Sequence, residues 1–373
     1  MARITRSAVD IVELPLSSPF HTSLRSAYSV VDIRVTLETD DGLIGIGSAA
    51  PTPKITGETT ESILCALREF LLPAVESASL YDEIPTLETV QKSVVGNPAA
   101  KAAVDIALHD IYARKRGTSL AQYLNGSQLR PMATDATVSL NTPDAMELQA
   151  LNLAQKGFRF LKIKLGGHDG QDALRVQRIR EALGPDMPLR VDANQAWTVE
   201  ESHHFIEQLA AFQVEFVEQP VYRRDLLGLR EVTKRSPLPI AADESVFDAY
   251  DLDHILFLEA AHIINLKLMK TGGLYPAIQM VKTIQDAGLQ WMVGSMMEGP
   301  ASVTAAATLA DAFGSHYKDL DAAYFLSNPL ATDGPLYEEG QLQFGPRTGL
   351  GITFTHGHPE ISQPNLKDKE QSL

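Results

Sequence analysis

The amino-acid sequence predicts an α/β protein: a closed parallel barrel carrying a smaller α+β domain at its N-terminal end. Three observations lead there. From about Ala133 onward, short apolar strands alternate with amphipathic helices through eight cycles with short connections, as in βαβ units wound into one sheet. Residues before that point read as alternating strands followed by helices. No dinucleotide-type glycine fingerprint follows any strand, which disfavours the open doubly wound alternative.

At 373 residues, with 44% hydrophobic and 21% charged content, the chain is long enough to bury a large core. Its formal net charge of −15 argues against nucleic acid or an anionic membrane surface as partner. Cys65 is the only cysteine, so no intramolecular disulfide or cysteine-based zinc site can form. Asp10 and Glu13 interrupt the apolar start of the chain, which makes a poor signal peptide, and no apolar run is long enough to span a membrane. A cytoplasmic enzyme or binding protein is expected.

Residues 3–16 and 30–40 alternate like antiparallel strands, and Asp40-Asp41-Gly42 is a hairpin turn leading to LIGIGSAAP. A polar loop, PFHTSLRSAYS, lies between the first two strands and holds Arg25; a second loop, APTPKITGETT, follows the hairpin. Residues 59–76, 79–93 and 98–116 have helical periodicity, with Asn97 as N-cap and Pro98 at the first helical position. Residues 1–127 are therefore expected to form the α+β capping domain. Gly42, Gly45 and Gly47 do not make a phosphate loop, because no helix follows them directly.

Barrel strands are expected at 136–140, 159–165, 188–194, 214–220, 239–245, 262–268, 290–296 and 318–325, within a domain covering 128–330. Residues 331–373 return to turns and short strands, expected to pack back on the capping domain, with a frayed polar end.

The stretch Phe160 to Leu165 alternates with period two, so Lys162 and Lys164 share a face. Neighbouring ammonium groups repel, and each is expected to lose its proton more readily. Lys164, Asp192, Glu218, Asp243 and Lys267 then follow one another at intervals of 28, 26, 25 and 24 residues, each one strand–helix repeat. One Asp at a strand end is ordinary helix capping. Three carboxylates in phase, flanked by lysines, form a ring of ionisable groups at the C-terminal mouth, where barrel enzymes place their chemistry. In a ring of eight, the second and sixth strands are opposite, so Lys164 and Lys267 face each other across it. The three carboxylates between them, without histidine or cysteine, suit a hard cation such as Mg²⁺. A metal with a base on each side fits removal of a proton α to a carboxylate and its return from the opposite face.

The motifs KIKLGG, VDANQAW, EFVEQP, ADES and INLKLMKTGGL resemble the enolase superfamily in its muconate-lactonizing branch, over nearly the whole chain. That resemblance implies a modified TIM barrel, (β/α)7β, with a capping domain. It implies Mg²⁺ on Asp192, Glu218 and Asp243, and Lys164 and Lys267 as the acid/base pair. Lys162 would lower the pKa of Lys164 and touch the substrate carboxylate. Within the branch, the chain resembles dipeptide epimerases, especially those acting on L-Ala-D/L-Glu. Asp319-Leu320-Asp321 resembles the motif that receives the dipeptide α-ammonium, and period two would put both carboxylates on one face of the last strand. The loop FHTSLRSAY resembles one whose arginine, here Arg25, pairs with a glutamyl carboxylate. Thr137 in ATVS, and Ser295 and Met297 in VGSMME, sit at positions resembling substrate-contacting ones. Arg25 as a surface arginine and Met297 as core filler are the ordinary readings. Two departures stand out: Ser48 in GIGSAAP, where relatives commonly have Glu, and the continuation Gly299-Pro300-Ala301-Ser302 after GSMME.

The expected function is thus an isomerase: a Mg²⁺-dependent dipeptide epimerase moving a proton at the α-carbon of the C-terminal residue. N-acylamino-acid racemases and o-succinylbenzoate synthases resemble the chain in the same lysines and metal ligands. A non-catalytic binding barrel is the alternative from another class. Assembly as a homo-oligomer is expected, as for many barrels of this kind.

Overall fold

The structure, a computed structural model, describes residues 3–76, 78–125, 128–327, 334–345 and 347–353. The chain opens with an antiparallel meander of β1 (Ile4–His21), β2 (Ser26–Thr39) and β3 (Ile44–Ala49), in that spatial order. β1 and β2 are longer than their alternation suggests. Most of the expected loop is strand, with Phe20 opposite Ala27 and His21 opposite Ser26, leaving only residues 22–25 as the turn. A register shift between Pro15 and Phe20 accommodates Pro15 and Pro19, which cannot donate to a ladder. The result is a stiff arm whose tip carries Arg25.

The helix Pro98–Lys115 is buried along nearly its whole length and lies on β3. A Cβ at Gly45 would fall 2.2 Å from the Ala107 carbonyl oxygen, and one at Gly47 1.9 Å from that of Ala103. These glycines therefore permit close helix approach. The predicted cap is corrected: Asn97 stands at the N-cap position in the left-handed region, with φ 53°, and its side chain caps nothing. The Glu58 carboxylate takes that role from 40 residues upstream, accepting from the backbone N–H of Ala99 at 2.9 Å and of Ala100 at 3.1 Å.

A two-residue strand, β4 (Met132–Ala133), precedes the barrel. The barrel strands are β5 (Ala136–Val138), β6 (Leu161–Lys164), β7 (Leu189–Asp192), β8 (Val214–Glu218), β9 (Ile240–Ala242), β10 (Ile263–Leu266), β11 (Gln290–Gly294) and β12 (Tyr317–Asp319). They form one all-parallel sheet in sequence order. The seam closes where Asp135 N donates to the Lys318 carbonyl (3.1 Å) and Leu320 N to Thr134 Oγ1 (2.9 Å). A helix fills each interval up to Pro300–Phe313, and only a 3₁₀ turn, Ala322–Phe325, follows β12. The described architecture is (β/α)7β. The last predicted strand is corrected accordingly: strand geometry stops at Asp319, and 322–325 turn back.

β13 (Leu336–Glu338) pairs with β14 (Gln341–Gln343), which pairs with β4 to make a small antiparallel sheet beside the barrel. Further on, Leu350 N donates to Asp110 Oδ1 of the capping unit at 2.6 Å, so the C-terminal segment touches both units. One apolar cluster runs from β2 and β3 through the helix Pro98–Lys115 into the barrel wall. Among the described residues, no helix is long and apolar enough to cross a membrane.

The two departures from the family pattern meet at one point. Asp32 of β2 is fully buried and accepts from Arg34 Nε at 2.8 Å. Ser48 lies beside it, and a Cβ on Gly299 would fall 2.3 Å from its Oδ1. Asp32 thus occupies the space that a larger residue at 299, at the start of the helix Pro300–Phe313, would need. Gly299→Ala is expected to cost about 1–3 kcal/mol of stability by overpacking, read as a lower urea midpoint. Gly345→Ala, with open space around it, should stay within about 0.5 kcal/mol of the parent.

Candidate active site

Parallel register sets the level of the charged side chains. Lys164 lies opposite Asp192, and Asp192 opposite Glu218. Asp243 and Lys267 sit one residue past the ends of β9 and β10. One carboxylate oxygen from each of Asp192, Glu218 and Asp243 comes within 4.8 Å of the others, and all three residues are buried.

Three lysines pair with Asp192 and Asp243. Lys164 Nζ donates to Asp192 Oδ2 (2.7 Å), and Lys267 Nζ to Asp243 Oδ2 (2.7 Å). Lys270, from the short helix Leu268–Thr271, donates to Asp243 Oδ1 at 2.6 Å and to the carbonyl oxygens of Asp243 and Asn265. Burial opposes the charge on Asp243, but Lys267, Lys270 and Lys162 outweigh it and hold its pKa well below the usual carboxylate range. Glu218 goes the other way: burial and the neighbouring Asp192 push it up to about 7.

Lys162 differs from expectation. It is 0% exposed, one layer below the mouth, with Nζ 2.7 Å from Asp319, 2.8 Å from Glu218 and 3.0 Å from Asp192. Burial would lower its pKa, but Asp192, Asp319, Glu218 and Asp135 raise it well above the ordinary value. The expected lowering by a neighbouring ammonium loses to four carboxylates. As described, Lys162 is the inner counter-charge of the cluster and does not line the cavity.

The donor set fits a hard divalent cation. All three side chains offer oxygen, and Glu218 Oε2 accepts no hydrogen bond despite the nearby Lys162. The surrounding shell is ordered. Asn265 Nδ2 donates to Glu218 Oε1 (2.9 Å), Asn194 N to Asp192 Oδ1 (2.8 Å), and the Gln219 side-chain oxygen accepts from Asp243 N (3.0 Å). Lys270, Asn265, Asn194 and Gln219 were missed in the sequence. Asn265 was within reach, since period two puts it on the same face as Lys267. Lys270 lies on a helix turn after the strand, so strand periodicity does not find it.

Above the cluster is a small cavity of about 40 Å³. Arg25, Thr137, Lys164, Lys267, Ser295, Met297, Asp319 and Asp321 all line it, with Phe20, Leu24 and Ile55 among the apolar walls. Arg25 makes no ion pair with a described carboxylate, and burial lowers its pKa. The period-two placement of Asp321 is corrected: it begins the 3₁₀ turn beyond the strand and accepts from Thr137 N at 2.6 Å. Asp319 faces Lys162 instead. The turn still delivers both carboxylates to one cavity. Burial and Asp319 push Asp321 up to about 6.

A carboxylate triad on three successive strand ends, between lysines of the second and sixth strands, is a demanding arrangement, and comparison with known families agrees with it. Residues 5–125 match the mandelate racemase / muconate lactonizing enzyme N-terminal domain, and residues 145–357 the enolase C-terminal domain-like family. The chain belongs to the enolase superfamily. It is 38% identical to the L-Ala-D/L-Glu epimerase of Clostridium acetobutylicum over 344 residues, 91% of this chain and 96% of that protein. Among solved superfamily structures, the substrate-liganded L-Ala-D/L-Glu epimerase from Bacillus subtilis is 38% identical with a TM-score of 0.92, covering 94% of this chain and 99% of that one. The dipeptide epimerase from Enterococcus faecalis complexed with Mg and L-Leu-L-Tyr is 37% identical with a TM-score of 0.90, at 94% and 99% coverage.

Lys162→Met leaves the buried carboxylates short of a counter-charge. In metal-free buffer it should lose about 3–5 kcal/mol of stability by urea unfolding, and millimolar MgCl₂ should restore part of that loss. An unchanged midpoint would show that Lys162 is not the counter-charge.

Proposed function

We propose that this protein is a Mg²⁺-dependent dipeptide epimerase acting at the α-carbon of the C-terminal residue, with L-Ala-D/L-Glu dipeptides as the first candidates. The observation that carries this reading is a single cavity holding Lys164 and Lys267 from opposite strands together with Arg25, Asp319 and Asp321. Such a lining suits a zwitterion: carboxylates toward Arg25 and the metal side, an ammonium toward the aspartates.

In this reading Asp192, Glu218 and Asp243 hold Mg²⁺, which supplies Lewis-acid stabilisation of charge developing on the substrate carboxylate. Lys164 Nζ or Lys267 Nζ takes the α-proton from its own side of the α-carbon. The opposite lysine returns a proton to the other face, inverting the centre, and the reverse direction exchanges their roles. Asp321, with Asp319, orients the dipeptide ammonium, and Arg25 pairs with a glutamyl side-chain carboxylate. Thr137, Ser295 and Met297 shape the walls. Lys162 holds the carboxylate cluster together from below. The described cavity is small, about 40 Å³, so in this reading the segments carrying Arg25 and Ile55 move apart to admit a dipeptide and then exclude water around it.

Two outcomes test the chemistry. In D₂O with Mg²⁺, mass-detected exchange of one deuteron into L-Ala-L-Glu is expected, and chelation should abolish it. Lys164→Ala should suppress exchange from one α-carbon configuration by roughly 100-fold or more relative to the other, with Lys267→Ala showing the opposite preference. Equal retention for both configurations would rule out the two-base scheme.

The substrate class is tested at Asp321, a cleaner probe than Asp319, on which Lys162 depends. Asp321→Asn should lower kcat/KM for dipeptides roughly tenfold or more through loss of a charged hydrogen bond. N-succinyl amino acids lack the ammonium, so a chain that racemises them and is indifferent to Asp321→Asn would instead be an N-acylamino-acid racemase.

A further inference from the structure

A second cavity, of about 430 Å³, lies between the capping unit and the loops after β8, β9 and β10. It shares a wall with the catalytic cavity. Ile55 faces the catalytic side and Thr56 this one. Asn194 lines the first and Glu244 the second, joined by a hydrogen bond from Asn194 Nδ2 to Glu244 Oε1 at 3.2 Å.

Three cations line this second cavity with no close ion pair or side-chain hydrogen bond among the described residues, Lys101, Arg223 and Arg224, and Glu58 answers Lys101 only at longer range. Lys101 is the telling one, because it is only 9% exposed. Burial of the side chain lowers its pKa, so a counter-charge in the cavity would favour its ammonium form. Glu58 accepts from the N–H groups of Ala99 and Ala100, and its charge reaches Lys101 only from beyond ion-pair distance. Arg223 lies over the Phe247 ring at 5.1 Å, which steadies the guanidinium plane. The other charged lining groups are already engaged: Lys270 on Asp243 and Asn265, and Asp248 and Asp251 on backbone N–H groups at the start of the helix Ala249–Leu258. Glu244 Oε2 is buried and accepts nothing. The uncommitted groups are therefore three cations, the buried Oε2 of Glu244, and one oxygen each of Asp248 and Asp251 at the helix start.

We propose that this cavity binds a compact dianion, of the phosphate or dicarboxylate class, that also presents a hydrogen-bond donor to Glu244. Arginine forks match both kinds of oxyanion, and the volume is of the size that small-molecule sites have. A chain of net charge −15 repels anions at long range, so affinity here comes from the local cations.

The test is calorimetric titration of the whole, metal-free protein with inorganic phosphate and, separately, with malate, a dicarboxylate whose hydroxyl supplies the donor, at constant ionic strength. Saturable one-to-one binding of at least one of them is expected, and which one binds separates the two sources. Lys101→Met should weaken it roughly tenfold or more, and so should Arg224→Ala. Arg224 is exposed, so that variant is available even if Lys101→Met fails to fold. Arg25→Met, in the catalytic cavity, should leave the titration unchanged. No saturable heat with either anion would overturn the proposal, as would binding that survives Lys101→Met and Arg224→Ala. Binding is read without turnover, so its failure is distinct from failure of the epimerase reading.

Discussion

Repulsion among Asp192, Glu218 and Asp243 is the constraint on which the barrel mouth depends. At 4.8 Å and an effective dielectric near 20, each pair of charges repels by about 3–4 kcal/mol. Nothing apolar can offset that in a buried site. The chain answers with four lysines: Lys162 from below, Lys164 and Lys267 from opposite sides, and Lys270 from behind Asp243. The two lysines proposed as acid and base are held where the carboxylates need counter-charge. Their placement on either side of a substrate is a geometric consequence of the same ring.

The ring in turn needs exact strand-end chemistry, and glycine supplies some of it. A Cβ on Gly294 would lie 2.7 Å from Lys267 Cε and 2.8 Å from Asn265 Oδ1. The lysine therefore crosses over a residue that must have no side chain. Asn265 and Gln219 show the other half: buried amides that fix the orientation of Glu218 and the backbone at Asp243.

The capping unit acts on the site through two rigid attachments and one long arm. Its core is continuous with the barrel wall, and Asp32 packs close over Gly299. With the base anchored, the β1–β2 arm projects Arg25 over the mouth, where Phe20 packs against Phe325 at 6.0 Å between ring centroids. Positions 48 and 299 thus fall at the contact between the units, next to the strand-seven loop that carries Ser295 and Met297, and away from the three clustered carboxylates.

Period-two alternation, helical periodicity and a repeat of about 25 residues are local properties. They were enough to place eight strands and to put Lys164, Asp192, Glu218, Asp243 and Lys267 in one ring, because barrel closure turns equal sequence spacing into equal height. What depended on contacts between distant residues was not legible. Lys162 shares a strand face with Lys164, yet the two differ because carboxylates from three other strands converge on the deeper one. Asp321 leaves the strand because the last βα unit is replaced by a 3₁₀ turn, and Asn97 loses its cap to Glu58. Local pattern states which way a side chain points; only the assembled fold decides what charge waits there.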